Sequence, residues 1–178
     1  MDARIDTWDE AARRANSTRV YDNSHRGQDA NLVGALGECV FEHWLRTRSI
    51  PFEFIGVTTH DYVVGTRGLT LDVKTKDRTV RPRPSYEATI PAYNSEHQQP
   101  DWYVFVSLYR TAPASAGIWR YTSAFIVGAY PGPAFHTEAK LWHAGEVDPA
   151  NGTKFWTDCY NLSIGRLIDV DEAAREWS

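Results

Sequence analysis

Between residues 31 and 48 apolar side chains recur as Leu32, Val33, Leu36, Val40, Phe41, Trp44 and Leu45. That is the 3.6-residue period of an amphipathic helix. Asp29 or Asn31 opens it and Pro51 marks its exit. Gly34 and Gly37 each cost the helix about 1 kcal/mol against Ala, so both point to close approach of another backbone. A shorter helix is expected over 7–16, with Thr7 and Glu10 as its capping box. Residues 17–30 read as loop. Residues 53–64 and 69–76 read as strands joined by the turn Gly65-Thr66-Arg67-Gly68. Residues 77–100, with four prolines, read as irregular. A strand at 102–108 is apolar enough to be buried on both faces, and another follows near 118–127. Residues 131–158 read as mixed loop. A closing helix over 169–177 carries its own capping box, Asp169 with Glu172. The order implies an α/β (α+β) domain with one mixed sheet flanked by helices.

Composition narrows this only a little. The chain has 178 residues, 42% hydrophobic and 24% charged, which fits one globular domain. Its net charge of −4 gives no argument for a nucleic-acid partner. Cys39 and Cys159 fit no metal or redox spacing and read as reduced thiols. No apolar run reaches a membrane span and the first residues lack a secretion signal, so a cytoplasmic protein is expected. His136 and His143 with Glu138 and Glu146 lack zinc spacing. There is no Gly-rich phosphate loop and no signature of a nucleophilic Ser or Cys.

Chemistry concentrates on the hairpin. Alternation puts Leu69, Leu71, Val73 and Thr75 on one face of the second strand, and Thr70, Asp72, Lys74 and Lys76 on the other. If Val64 faces Leu69 across an even turn, Asp61 falls directly opposite Asp72. Opposed carboxylates repel, and a divalent cation with oxygen ligands would compensate them. A lysine on the same face could orient or deprotonate a water and offset transition-state charge. The plain alternative is a solvated strand surface. Glu38 lies at the edge of the apolar stripe of its helix, with Ala35, Phe41 and Leu45 as neighbours. It is either a boundary glutamate paired with Arg46 or Arg48, or a third acid at the site. Glu42 is a weaker candidate.

Gly37-Glu38, His60-Asp61-Tyr62 and Leu71-Asp72-Val73-Lys74-Thr75, in this order on helix, strand and strand, resemble the PD-(D/E)XK nuclease superfamily. The resemblance covers residues 31–76 well and the later strands loosely. It implies a restriction-endonuclease-like core over 31–130, a helical extension over 1–30 and an elaboration over 131–178. It implies Mg²⁺ or Mn²⁺ and hydrolysis of a DNA or RNA phosphodiester, with DNA expected here, as an endonuclease or as a junction resolvase or exonuclease. A non-catalytic DNA-binding module on the same fold is the alternative. By position, Asp61, Asp72 and the Val73 carbonyl would hold metal, Lys74 would be the catalytic lysine and Glu38 the helix acid. His60 stands where the family name has proline, and Asp72 replaces the commoner glutamate. Short members with Gly-Glu and Asp-Val-Lys-Thr runs are frequent in phages, which suggests a phage origin and a host cytoplasm. A resolvase-like member would work as a homodimer, and nothing in the sequence shows one.

From Arg67 to Arg83 six basic residues (Arg67, Lys74, Lys76, Arg78, Arg81, Arg83) stand against Asp72 and Asp77, a local charge of +4. Arg67, Lys76, Arg78, Arg81 and Arg83 could hold DNA phosphates. A solvated loop is the other reading. Arg13, Arg14, Arg19 and Arg26 form a second, weaker basic group. His97-Gln98-Gln99 and Tyr93 are candidates for substrate contact.

Overall fold

The computed structural model describes residues 3–17, 28–94, 97–150 and 152–177. It is a mixed α/β architecture with a mixed central sheet and flanking helices. In chain order the helices are α1 (Ala3–Ser17), α2 (Gln28–Thr47), α3 (Gly132–Glu138) and α4 (Val170–Trp177). The strands are β1 (Phe52–Phe54), β2 (Tyr62–Val64), β3 (Leu69–Arg78), β4 (Glu87–Pro91), β5 (Trp102–Arg110), β6 (Tyr121–Pro131), β7 (Lys140–Trp142) and β8 (Cys159–Ser163). They form a five-stranded sheet in the order β1-β2-β3-β5-β6 and a three-stranded sheet in the order β4-β8-β7. A single sheet was the sequence expectation, and the second sheet corrects it.

Two compact units emerge. One comprises Met1–Pro51, Val73–Pro82 and Phe105–Val127. Here α1 packs along α2, with Trp8, Ala11 and Ala15 buried at helical spacing. The Trp8 indole donates to the Tyr121 carbonyl at 3.3 Å. Leu36, Phe41 and Leu45 of α2 are fully buried, each contributing roughly 1.5–3 kcal/mol relative to exposure. Gly37 lies against Thr75 of β3: a Cβ there would stand 1.8 Å from the Thr75 hydroxyl oxygen. Gly34 meets nothing within 4 Å, so the close approach expected of both glycines holds for Gly37 alone.

The other unit comprises Phe52–Asp72, Arg83–Val104 and Gly128–Ser178. The turn after β2 brings Gly65, at φ 72°, so near α4 that a Cβ would lie 1.4 Å from the Trp177 carbonyl oxygen. Only glycine fits there. The Trp177 ring is fully buried, edge-on to Trp102 at 5.9 Å. Asp169 caps α4, its Oδ1 accepting from the Asp171 and Glu172 amides at 2.9 and 3.4 Å. Beneath β7 and β8, Trp142 stacks on Phe155 at 4.7 Å beside Cys159.

Several expected elements are revised. The first helix starts at Ala3, so Thr7 and Glu10 lie inside it; a run of adequate helix formers propagates past an internal cap signal. The expected strand 53–64 is two short strands, β1 and β2, paired with Phe52 opposite Val64. The reversal sits at Gly56, φ 61°, and the bend before Asp61. Residues 87–91 form β4 inside the segment read as irregular, because β8 supplies partners some seventy residues on. Pro91 is tolerated at the strand end. Residues 131–158 contain α3 and β7, and β8 follows directly. These are elements too short for periodicity to reveal. The strand expected at 118–127 runs from Tyr121 to Pro131. No helix among the described residues is long and apolar enough to cross a membrane.

Candidate active site

The hairpin register matches the sequence argument. Val64 pairs with Leu69, Val63 with Thr70 and Tyr62 with Leu71. The pairing is not continued to Asp61, and the direct opposition to Asp72 expected from the sequence is corrected. The Asp61 amide donates at 3.0 Å to the carbonyl of Leu71, the residue before Asp72, so that Asp61 and Tyr62 both lie against Leu71 as in a bulge. On its other side the Asp61 carbonyl accepts from the Ile55 amide at 2.8 Å and the Gly56 amide at 3.2 Å. The backbone of Asp61 is thus held from both neighbouring strands, at the point where β2 leaves the sheet. A candidate ligand fixed by strand hydrogen bonds is better oriented than one on a free loop.

Asp72 is 1% exposed. Its negative charge reaches the buried phenol of Tyr103, whose pKa is held above its ordinary value first by burial and then by Asp72. The Tyr103 hydroxyl donates to the Gln98 carbonyl at 2.9 Å and lies 3.0 Å from His136 Nε2. A phenol has one proton. With that proton on Gln98, Nε2 must be the donor, which assigns the neutral Nε2–H tautomer to His136. Its Nδ1 is buried with no hydrogen-bond partner among the described residues, and burial lowers the pKa of the ring. Asp101 braces the start of β3, its Oδ2 accepting from the amide and the hydroxyl of Thr70, both at 2.8 Å. Sequence reasoning missed Tyr103, His136 and Asp101. Gln98 had been singled out, but for substrate contact; its carbonyl serves Tyr103 instead.

Val73 is buried and Lys74 half-buried on the continuous strand β3. By alternation Lys74 shares the face of Asp72, whereas Thr75, which touches Gly37, belongs with Leu71 and Val73. The Gly37 contact therefore seats α2 on the Thr75 face of the Val73–Pro82 segment, away from Lys74. Glu38, next along, has its carboxylate 3.7 Å from Arg14 Nη1 on α1. Arg46 instead bonds Glu42 at 2.8 Å, and Arg14 bonds Glu42 at 2.6 Å. Glu42, 2% exposed, is the centre of an ion-pair network that also takes in Glu10. These groups line a cleft of about 260 Å³ with Thr7, Cys39 and His43. Cys39 is a free buried thiol, pushed up to about 12 chiefly by desolvation. Cys159 is likewise buried and in no disulfide.

The basic candidates disperse. Arg67 donates to the Glu176 carbonyl at 3.0 Å, near the C-terminal end of α4, where a cation is favoured. Arg81 lies 5.8 Å over the Phe125 ring. Lys76 and Arg83 are exposed and Arg78 half-buried. Of the second basic group, Arg13 pairs with Glu10 at 2.9 Å and Arg14 with the acids above; Arg19 and Arg26 lie outside the described residues. Tyr93 is exposed. His143 is paired with Asp158 at 3.1 Å.

Among the described residues no three His, Cys, Asp or Glu side chains converge as a metal cage. The donors that the resemblance names, two carboxylates and a backbone carbonyl, are all oxygen, a chemistry that would suit Mg²⁺ or Mn²⁺ rather than Zn²⁺. Mg²⁺ is typically held by one or two carboxylates with water and phosphate completing the shell. No family model and no curated protein matches the chain.

Proposed function

We propose that the protein is a divalent-metal-dependent nuclease that hydrolyses DNA phosphodiester bonds, acting as an endonuclease. The observation that supports this reading best is the β2–β3 hairpin, in which the Asp61 amide bonds the carbonyl of Leu71, the residue before Asp72. Lys74 follows two residues on along the face of Asp72. The resemblance of the Asp-Val-Lys run to PD-(D/E)XK enzymes adds the reaction class. In this reading Asp61, Asp72 and the Val73 carbonyl hold Mg²⁺ or Mn²⁺. That ion supplies Lewis-acid polarisation of the phosphate and a more acidic water. Lys74 places its ammonium against the water and the charge developing on the non-bridging oxygens. Asp101 and the strand hydrogen bonds of Asp61 keep the two acids in place. Glu38 would be the helix acid of the family pattern, but α2 packs on the Thr75 face of β3 and the Glu38 carboxylate meets Arg14, so the reading stands on Asp61, Asp72 and Lys74 without it. Lys76, Arg78, Arg81 and Arg83 hold flanking phosphates, each through a charge contact that weakens with salt. Arg67 is already engaged with α4 and contributes less.

The test is cleavage of supercoiled, linear, single-stranded and branched DNA with Mg²⁺ or EDTA. Asp72→Asn and Lys74→Ala should each lower the rate by about a hundredfold or more, the scale of losing one preorganised electrostatic group. Undiminished cleavage by either variant sinks the assignment. Glu38→Gln separates the helix acid from the strand pair. A second reading, a DNA-binding or assembly module without catalysis, draws on the near-complete burial of Asp72. Mn²⁺ titration distinguishes the two: binding lost in Asp61→Asn and Asp72→Asn supports the nuclease, and DNA binding without any Mn²⁺ binding supports the module.

A further inference from the structure

Asp29, Asp77, Arg110, Ala114 and Arg120 line a cleft of about 270 Å³, all of them within the first compact unit. Its place follows from the sheet. Asp77 is next to last in β3 and Arg110 is last in β5, and these strands are neighbours. Arg110 Nε lies 3.2 Å from Asp77 Oδ2, so the carboxyl ends of the two strands meet. Adjacent strands that end together run parallel, and in open α/β sheets the crevice outside such ends is where ligands are held. Asp29, in the first turn of α2, lines another side. The Thr111 amide donates to the Arg120 carbonyl at 3.0 Å. That bond closes the connection between β5 and β6 and sets Arg110 and Arg120 at its two ends.

The two guanidinium groups are held differently. Arg120 is buried, at 3% exposure. Its Nη2 donates to Asp29 Oδ1 and, at 2.8 Å, to the Tyr121 hydroxyl. Its Nη1 reaches the Ala114 carbonyl only at 3.5 Å. Arg110 meets Asp77 through Nε, without hydrogen-bond alignment. Its two Nη atoms have no partner among the described residues. The carboxylates thus hold each arginine by one edge and leave donors over. Because two acids match two bases, the lining is neutral. What the cleft offers an anion is a set of donors in fixed directions, not a field.

We propose that this cleft binds a phosphate group. Arg110 takes two phosphate oxygens with its Nη fork, a geometry that a guanidinium matches and an ammonium does not. Arg120 Nη1 takes another from the floor. Donors on two separate side chains favour a tetrahedral anion, since a planar carboxylate is used up by a single fork. None of the residues of the proposed nuclease site takes part, and the binding does not depend on that activity.

The test is calorimetric titration of the full chain, in EDTA, with inorganic phosphate, a nucleoside 5′-monophosphate and a short DNA duplex carrying 5′-phosphates. Saturable binding of a single phosphate per chain is expected. Arg110→Ala should weaken it about tenfold or more, the scale of losing hydrogen bonds from a charged group. Arg110→Lys keeps the charge and loses the fork, and should weaken it nearly as much. Melting temperature checks folding; should Arg110→Ala lower it, Arg110→Lys carries the test. Arg13→Ala, on α1, should leave the affinity unchanged. Nucleotide or duplex ends bound more tightly than the free ion support a site for nucleic-acid ends, and equal affinities support a site for the free ion. No saturable binding at millimolar phosphate overturns the proposal. So does binding that is indifferent to Arg110→Ala, or fully kept by Arg110→Lys, because charge alone would then account for it.

Discussion

Replacing Gly37 by Ala should destabilise the protein, although helix propensity alone argues the reverse. Glycine inside a helix costs about 1 kcal/mol against alanine, so an isolated α2 would gain that much. The added Cβ, however, would lie 1.8 Å from Thr75 Oγ1 and 2.9 Å from Thr75 Cβ and Cγ2. Ordinary contacts stand near 3.5 Å, so helix and strand must separate by roughly 1.5 Å. Overpacking of this kind costs about 1–3 kcal/mol, and with a contact as short as 1.8 Å the steric loss outweighs the propensity gain by up to about 2 kcal/mol. For a chain of this size that lowers the melting temperature by up to about 8 °C. Gly34 provides the control on the same helix. Nothing lies within 4 Å of its Cβ position, so Gly34→Ala should raise the melting temperature by about 2–4 °C. Gly37→Ala combined with Thr75→Ala should recover part of the loss, since the hydroxyl clash goes and the Cβ contact remains. Thermal unfolding followed by circular dichroism reads all four proteins. Equal gains from Gly34→Ala and Gly37→Ala would refute the close approach of α2 to β3.

Glu42→Ala leaves Arg14 beside an emptied partner site; because Arg46 is largely exposed, the expected cost is about 2–4 kcal/mol, read by urea denaturation. Asp169→Ala removes the cap of α4 and should cost about 1 kcal/mol in the same assay. Burial lowers the pKa of His136 below its usual 6.5, so the unfolded chain takes up the proton first. The stability contributed by the neutral ring is present above about pH 6.5 and lost as pH falls toward the folded value. His136→Gln should flatten that acid limb of the stability profile. The Cys39 thiol, buried and pushed up to about 12, should resist a disulfide-exchange reagent at pH 8 and react only on unfolding.

The hairpin was legible because its information is local. A turn of defined length and strict alternation fix which residues oppose, and the observed pairing of Val64 with Leu69 follows from them. α2, β5 and α4 were legible for the same reason: each is long or capped enough to carry its own period. The segments that went astray depend on partners remote in sequence. β4 exists because β8 lies beside it. The reversal between β1 and β2 is made by Gly56 inside a run whose β-branched and aromatic residues are compatible with one longer strand.

The same division holds for the candidate site. Sequence alone placed Asp72 and Lys74 on one strand face, since strand geometry has period two whatever surrounds it, but not the bond from the Asp61 amide to the Leu71 carbonyl. Tertiary structure decided what environment those residues meet. It buried Asp72 within electrostatic reach of Tyr103, it engaged Arg67 with the end of α4, and it turned Glu38 toward Arg14. None of these follows from spacing, because each depends on which segments, far apart in the chain, exclude water together.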